Sequence, residues 1–181
     1  MQSNRLQLNT SKRELLCCTT ARRQHLLPRS ALRIGADAIT PSTTVRDLGI
    51  FIDADLSMCS HVQRTVSGYF AILRQLLSLR RSVPSSVFQT LVFALVLSRL
   101  GYGNVTLVGL PANLLNRLQS MLSAAARSVA GLRRSDHITD TLASVHWLRA
   151  PGRIEFKLAV IVYRGIHAKC MYTGVGKCCD F

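Results

Sequence analysis

The chain has 181 residues, 48% of them apolar, so it is long enough to bury a core and too apolar to stay disordered. Its formal net charge is +14, from 23 Lys and Arg against 9 Asp and Glu. Only Lys12, Lys157, Lys169 and Lys177 are lysines, and a guanidinium-dominated excess favours a phosphate-bearing polyanion over a merely solvated surface.

Residues 1–56 read as short strands and turns. Leu15 to Thr20 predicts one strand, and Val45 to Ile52, rich in β-formers and closed by Asp53, predicts a second. The arginine-rich connection between them carries Pro28, Gly35 and Pro41 and reads as loop or weak hairpin. Such a piece has edges and little core of its own. Near Ser57 the pattern changes to a helical period. Val62, Val66, Tyr69, Leu73 and Leu76 form one apolar stripe. Pro84 opens a second helix, expected to be apolar nearly all round and central to a bundle. Its unbroken apolar run is only Leu91 to Leu97, too short for the roughly 18 residues of a membrane span. Pro111 begins a third helix with the stripe Leu114, Leu118, Met121, Ala125 and Val129, stopped by Gly131. A short helix from Ile138 to Val145 is expected to be capped by Ser135 or Asp136, with Trp147 as a core anchor. The last helix, about Gly152 to His167, should turn Ile154, Leu158 and Ile161 inward and carry Arg153, Lys157 and Arg164 on an adjacent face.

The six cysteines are Cys17, Cys18, Cys59, Cys170, Cys178 and Cys179. Because Met1 to Gln7 has no apolar leader core, they are expected to be reduced thiols of an intracellular protein, in cytoplasm or nucleus and not secreted. Asp53-Ala54-Asp55 could in principle hold Mg²⁺, but a short acid here more simply ends a strand or caps a helix. His137 and His146 have no accompanying nucleophile with spacing of its own. His167, Cys170, Cys178 and Cys179 do not form the two close pairs that zinc favours.

Several segments carry a family likeness in order. They are Leu6-Gln7-Leu8-Asn9-Thr10-Ser11-Lys12-Arg13-Glu14, Val45-Arg46-Asp47-Leu48-Gly49-Ile50, Leu97-Ser98-Arg99-Leu100-Gly101-Tyr102-Gly103-Asn104 and Gly109-Leu110-Pro111. Asn116-Arg117-Leu118-Gln119, Asp136-His137-Ile138-Thr139, His146-Trp147-Leu148 and Arg153-Ile154-Glu155-Phe156-Lys157 follow. The series resembles the late palm and thumb of reverse transcriptases of LINE-type (non-LTR) retrotransposons. It departs from that pattern at Arg13, where Thr is usual, at Gly101 and Gly103, and at Arg149-Ala150, where a Pro is usual.

The resemblance implies an α+β, mainly α chain: a small β piece from the edge of a polymerase palm followed by a helical thumb-like bundle. Residues 1–56 would be partial palm, 57–169 the bundle and 170–181 a divergent tail. It implies a remnant of an RNA-directed DNA polymerase, truncated at both ends. The family's metal-binding Ala-Asp-Asp turn would lie before Met1, and no such turn occurs in the chain. On this reading no residue is catalytic and none binds metal. The fragment would bind no cofactor, although the parent enzyme would use Mg²⁺. Lys12 would sit where the family neutralises the departing pyrophosphate, and Leu48 and Gly49 would belong to the primer-grip strand. Arg74, Arg81, Arg117, Arg127, Arg153, Lys157 and Arg164 would hold an RNA and DNA primer–template duplex by its backbone, without sequence specificity. The alternatives are a basic helical membrane-surface protein and a decayed element with no function.

Overall fold

The computed structural model describes residues 12–35 and 37–172, the side chains of residues 99 and 168–172 excepted. The described residues are mainly helical, with a small β piece ahead of the helices. They form two compact units that part between Gln63 and Arg64.

The first unit holds three ladders of two strands each. β1 (Leu15–Leu16) runs parallel to β4 (Pro41–Ser42), and β2 (Leu32–Ile34) pairs antiparallel with β3 (Asp37–Ile39). The strand expected through Thr20 therefore stops at Leu16, and a 3₁₀ helix, Ala21–Leu26, follows. The expected single strand Val45 to Ile52 is instead a hairpin of β5 (Thr44–Asp47) and β6 (Ile50–Asp53), in register Thr44 to Asp53 and Asp47 to Ile50. Leu48 and Gly49 both have positive φ, 45° and 86°, which turns the chain back in two residues with the twist a hairpin requires.

Asp53 ends this hairpin and starts the next element. Its carboxylate accepts hydrogen bonds from the Thr44 hydroxyl at 3.0 Å, the Ser60 N–H at 3.0 Å and the Ser57 hydroxyl at 3.5 Å. The Ser60 N–H is one of the orphan donors at the start of α1 (Cys59–Leu79), so the acid caps that helix from the preceding strand. Leu56 and Met58, at φ 58° and 57°, bend the connection in the left-handed region.

In the second unit the apolar stripe of α1 buries Tyr69, Leu73 and Leu76. Helical backbone then runs from α2 (Ser85–Val92) through a π segment, Phe93–Leu97, into α3 (Ser98–Gly101). The buried residues are Phe88, Val92, Val96, Leu97 and Leu100. A π turn inserts one extra residue, and here both Val96 and Leu97 reach the core in one turn. The expectation of an all-round buried helix is corrected. Val87, Phe93 and Leu95 are exposed, because the helix packs by one face only.

α4 (Ala112–Ala130) is the central helix, touching α2, α5 (Thr139–Ser144) and α6 (Ala150–Tyr172). Its Leu114, Leu118, Met121, Leu122, Ala125 and Ala126 are buried, while Val129 is half-buried. Gly131 ends it at φ 73°, with its N–H and that of Leu132 closing on the Arg127 carbonyl. Neither Ser135 nor Asp136 caps α5, whose N-cap residue is Ile138; Asp136 instead accepts the Arg133 N–H at 2.7 Å and closes a turn. Trp147 is buried, as expected. The Gln119 side chain accepts the Ala150 N–H at 2.9 Å and fixes the start of α6 on α4. Along α6 Ile154 is buried and Leu158 half-buried, but Ile161 is exposed, as are Val162, Tyr163 and Ile166.

Candidate nucleic-acid interface

Between Arg64 and Tyr172 fourteen Lys and Arg face three acids, Asp136, Asp140 and Glu155. Basic side chains so rarely neutralised raise the local potential wherever the fold gathers them. Among the described residues of the helical unit, two places gather them.

The first is a groove of about 800 Å³ along the C-terminal half of α1 and the end of α4. Arg74, Arg80, Arg127 and Arg134 line it together with Ser120 and Ser128, and among the described residues no carboxylate does. Its floor is apolar, with Phe70, Leu73 and Leu77. The Arg74 Nε donates to the Phe70 carbonyl at 3.2 Å, one turn back, which orients the guanidinium along the helix. Arg80 lies over the Phe88 ring, 5.7 Å from its centroid. It also fills the space beside Gly131, where a Cβ would stand 2.7 Å from the Arg80 Nη2. The helix stop and the position of this cation are thus set by the same glycine. The Arg127 Nε is buried with no hydrogen-bond partner among the described residues. Ser120 and Ser128 spend their hydroxyl protons on the carbonyls of Arg117 and Ala125. The groove's donors to a ligand are therefore its guanidinium groups.

The second is a pocket of about 410 Å³ lined by Phe93, Leu97, Ser98, Gly101, Tyr102, Arg153 and Lys157. Arg153 and Lys157 stand one turn apart on α6, on one face of the helix. Burial lowers the pKa of Arg153 and raises that of Tyr69, each charge acting on the other in the opposing direction. Desolvation outweighs that attraction for both, which keeps the phenol protonated beside a guanidinium that stays charged. The Tyr69 hydroxyl and the Arg153 Nε have no hydrogen-bond partner among the described residues.

Four of the sequence-predicted residues fall into these places, Arg74 and Arg127 in the groove and Arg153 and Lys157 in the pocket. Arg81, Arg117 and Arg164 are exposed and line neither. Lys12, Leu48 and Gly49 belong to the first unit, where Lys12 is exposed and Leu48 is 80% exposed at the hairpin tip. Gly49 therefore serves the tight turn of a hairpin and not the middle of an extended strand. Arg80 and Arg134 join the groove from beyond the ends of α1 and α4, so no helical period marks them. Phe93 joins the pocket from the π turn, which the apolar run concealed, and Ser98 and Tyr102 join it from the start of α3 and just past its end.

Asp53 is committed to its cap. Burial pushes its carboxyl pKa up, but the hydrogen bonds from Ser60, Thr44 and Ser57 outweigh that and hold it below the ordinary aspartate value. Among the described residues no three His, Cys, Asp or Glu gather as a metal site, and no helix is long and apolar enough to cross a membrane. The Leu6 to Ser11 part of the palm-like segment lies outside the described residues, as do Cys178 and Cys179. Compared with protein-family models, with curated proteins and with solved structures, the chain matches none.

Proposed function

We propose that this chain is a thumb-like remnant of a LINE-type reverse transcriptase that holds RNA and DNA duplex by its phosphates and does not polymerise. The observation that carries the binding half of this reading is the α1–α4 groove, lined by four arginines and, among the described residues, by no carboxylate. Arginines on rigid helix ends give backbone affinity without sequence readout, which is what a thumb supplies. The palm-like and thumb-like segments in their sequence order support the ancestry. For polymerisation, two-metal phosphoryl transfer requires placed carboxylates, and no Ala-Asp-Asp turn occurs among the 181 residues.

Four phosphate contacts release enough counterion to weaken binding about 100-fold between 50 and 200 mM salt, for a slope near −0.9 per contact. Titration of a fluorescent RNA–DNA hybrid measures this directly. The double variant Arg74→Glu with Arg127→Glu should lower affinity at least tenfold and flatten the salt slope. Affinity indifferent to salt, or unchanged in that variant, overturns the reading. Primer extension with Mg²⁺ or Mn²⁺ should give no product.

A basic helical surface that lies on anionic membranes is the second reading. It is favoured by the exposed Val162, Tyr163 and Ile166 around Arg164 on α6. Co-sedimentation with phosphatidylserine vesicles in preference to the hybrid would establish it.

A further inference from the structure

The pocket at the π turn differs in chemistry from the arginine groove. Its mouth combines two aromatic side chains, Phe93 at 55% and Tyr102 at 57% exposure, with the cations of Arg153 and Lys157 on the opposing helix. Among the described residues no carboxylate lines it. Its 410 Å³ falls within the about 300–1,000 Å³ of small-ligand sites. A duplex offers only its outer backbone to such a place, because paired bases keep their faces stacked on one another. An unpaired nucleotide offers both parts, a flat ring and a phosphate.

The π turn is part of this arrangement. Within the π segment Val96 and Leu97 are buried, while Phe93 at its start stays outside. Ser98 follows at once, its hydroxyl donating to the Ala94 carbonyl within the turn. α3 then ends at Gly101, and Tyr102 adopts an extended conformation that takes it out of the helix. Across from them, Arg153 carries an Nε with no hydrogen-bond partner among the described residues.

We propose that this pocket takes one unpaired nucleotide, its base against Phe93 and Tyr102 and its phosphate on Arg153 and Lys157. Stacking on an aromatic face is tolerant of base identity, so the site should accept purines better than pyrimidines through their larger surface, with no hydrogen-bond code. The inference shares with the proposed function the view that the helical unit binds nucleic acid, but it rests on different residues and fails separately.

The experiment compares a blunt RNA–DNA hybrid with the same hybrid carrying a three-nucleotide single-stranded overhang, using the full chain. The overhang should raise affinity about tenfold. Phe93→Ala should remove most of that gain and leave blunt-duplex affinity within twofold, while Phe93→Trp should keep it. Lys157→Ala should weaken the overhang ligand several-fold more than the blunt one and so also remove most of the gain. Phe93 is exposed, so its replacement tests binding and not folding. The Arg74→Glu, Arg127→Glu variant should weaken both ligands and preserve the ratio between them. Adenosine 5′-monophosphate is the second probe. If it competes with the overhang but not with the blunt duplex, the site also takes a free nucleotide. If a five-nucleotide single strand competes and the mononucleotide does not, the occupant is a strand end. A ratio near one for the unmodified chain, or a gain that survives both alanine variants, overturns the proposal.

Discussion

The β-rich unit and the helical unit of this chain are held together by different means. Around α4 the fold rests on burial: Leu97, Leu114, Leu118, Met121 and Leu122 are almost wholly removed from water. The unit before Arg64 has ladders of two strands, β-strand side chains that are largely half-buried or exposed, and one aspartate tying hairpin to helix. A two-stranded ladder cannot bury much surface by itself, so a polar anchor and tight turns take over what a core does elsewhere. The helical unit should therefore respond to changes in volume, and the β-rich unit to changes in charge and backbone conformation.

The largest effect should come from the core. Leu118→Ala, at a side chain 1% exposed, should cost about 3 kcal/mol by the lost transfer energy and the cavity left behind. Leu32→Ala, on the exposed β2, should cost less than about 0.5 kcal/mol. Urea denaturation followed by circular dichroism measures both. Equal costs would mean the two units are organised alike.

Next comes Asp53. Asp53→Ala should cost about 2 kcal/mol, because the cap and two hydroxyl partners are lost, while Asp53→Asn should recover much of it. The pH dependence follows from the same cluster. The folded pKa of Asp53 lies below its usual 3.8, so its contribution is present above that value and is lost as pH falls through the folded one. His61 acts earlier. Its buried imidazole accepts the Phe51 N–H on Nδ1 at 3.4 Å and must be neutral to do so. Burial pulls its pKa below 6.5 against the opposing charge of Asp53. Since the unfolded chain then takes up the proton first, stability should begin to fall as pH drops through 6.5, and His61→Gln should abolish that first loss. Thermal melts between pH 8 and pH 5 would show it, and a flat profile in the unmodified chain would break the assignment.

The smallest effect is a gain. Leu48 occupies φ 45° at a hairpin tip where its side chain is 80% exposed. Asn or Gly adopts that conformation at little cost, so Leu48→Asn should raise stability by about 0.5–1 kcal/mol in the same denaturation assay. A loss instead would show that the leucine makes a contact that outweighs its strain.

Helix existence was legible because a 3.6-residue stripe can be read from spacing: Tyr69, Leu73 and Leu76 on α1, and Leu114, Leu118, Met121 and Ala125 on α4, are buried as the pattern required. Pro84 and Pro111 before helices and Gly131 after one were equally readable, since each acts through its own backbone. The hairpin at Leu48 was not, because a leucine gives no sign that it will take a left-handed turn. The exposure of Phe93 and Ile161 was hidden for another reason: hydrophobicity says that a residue would gain by burial, and not that a neighbour stands there to bury it.

The candidate interface divides along the same line. Charge excess, the arginine bias and the helices that bear them were set by the amino-acid sequence alone, because composition and local spacing need no partner. Which cations converge was decided only by the tertiary structure. Arg74 and Arg127 share a groove with Arg80 and Arg134 because the end of α1 and the end of α4 border it together, and Phe93, in the π turn, shares a pocket with Lys157 of α6. Convergence is a property of packing, and packing is fixed by shape complementarity across residues far apart in the chain.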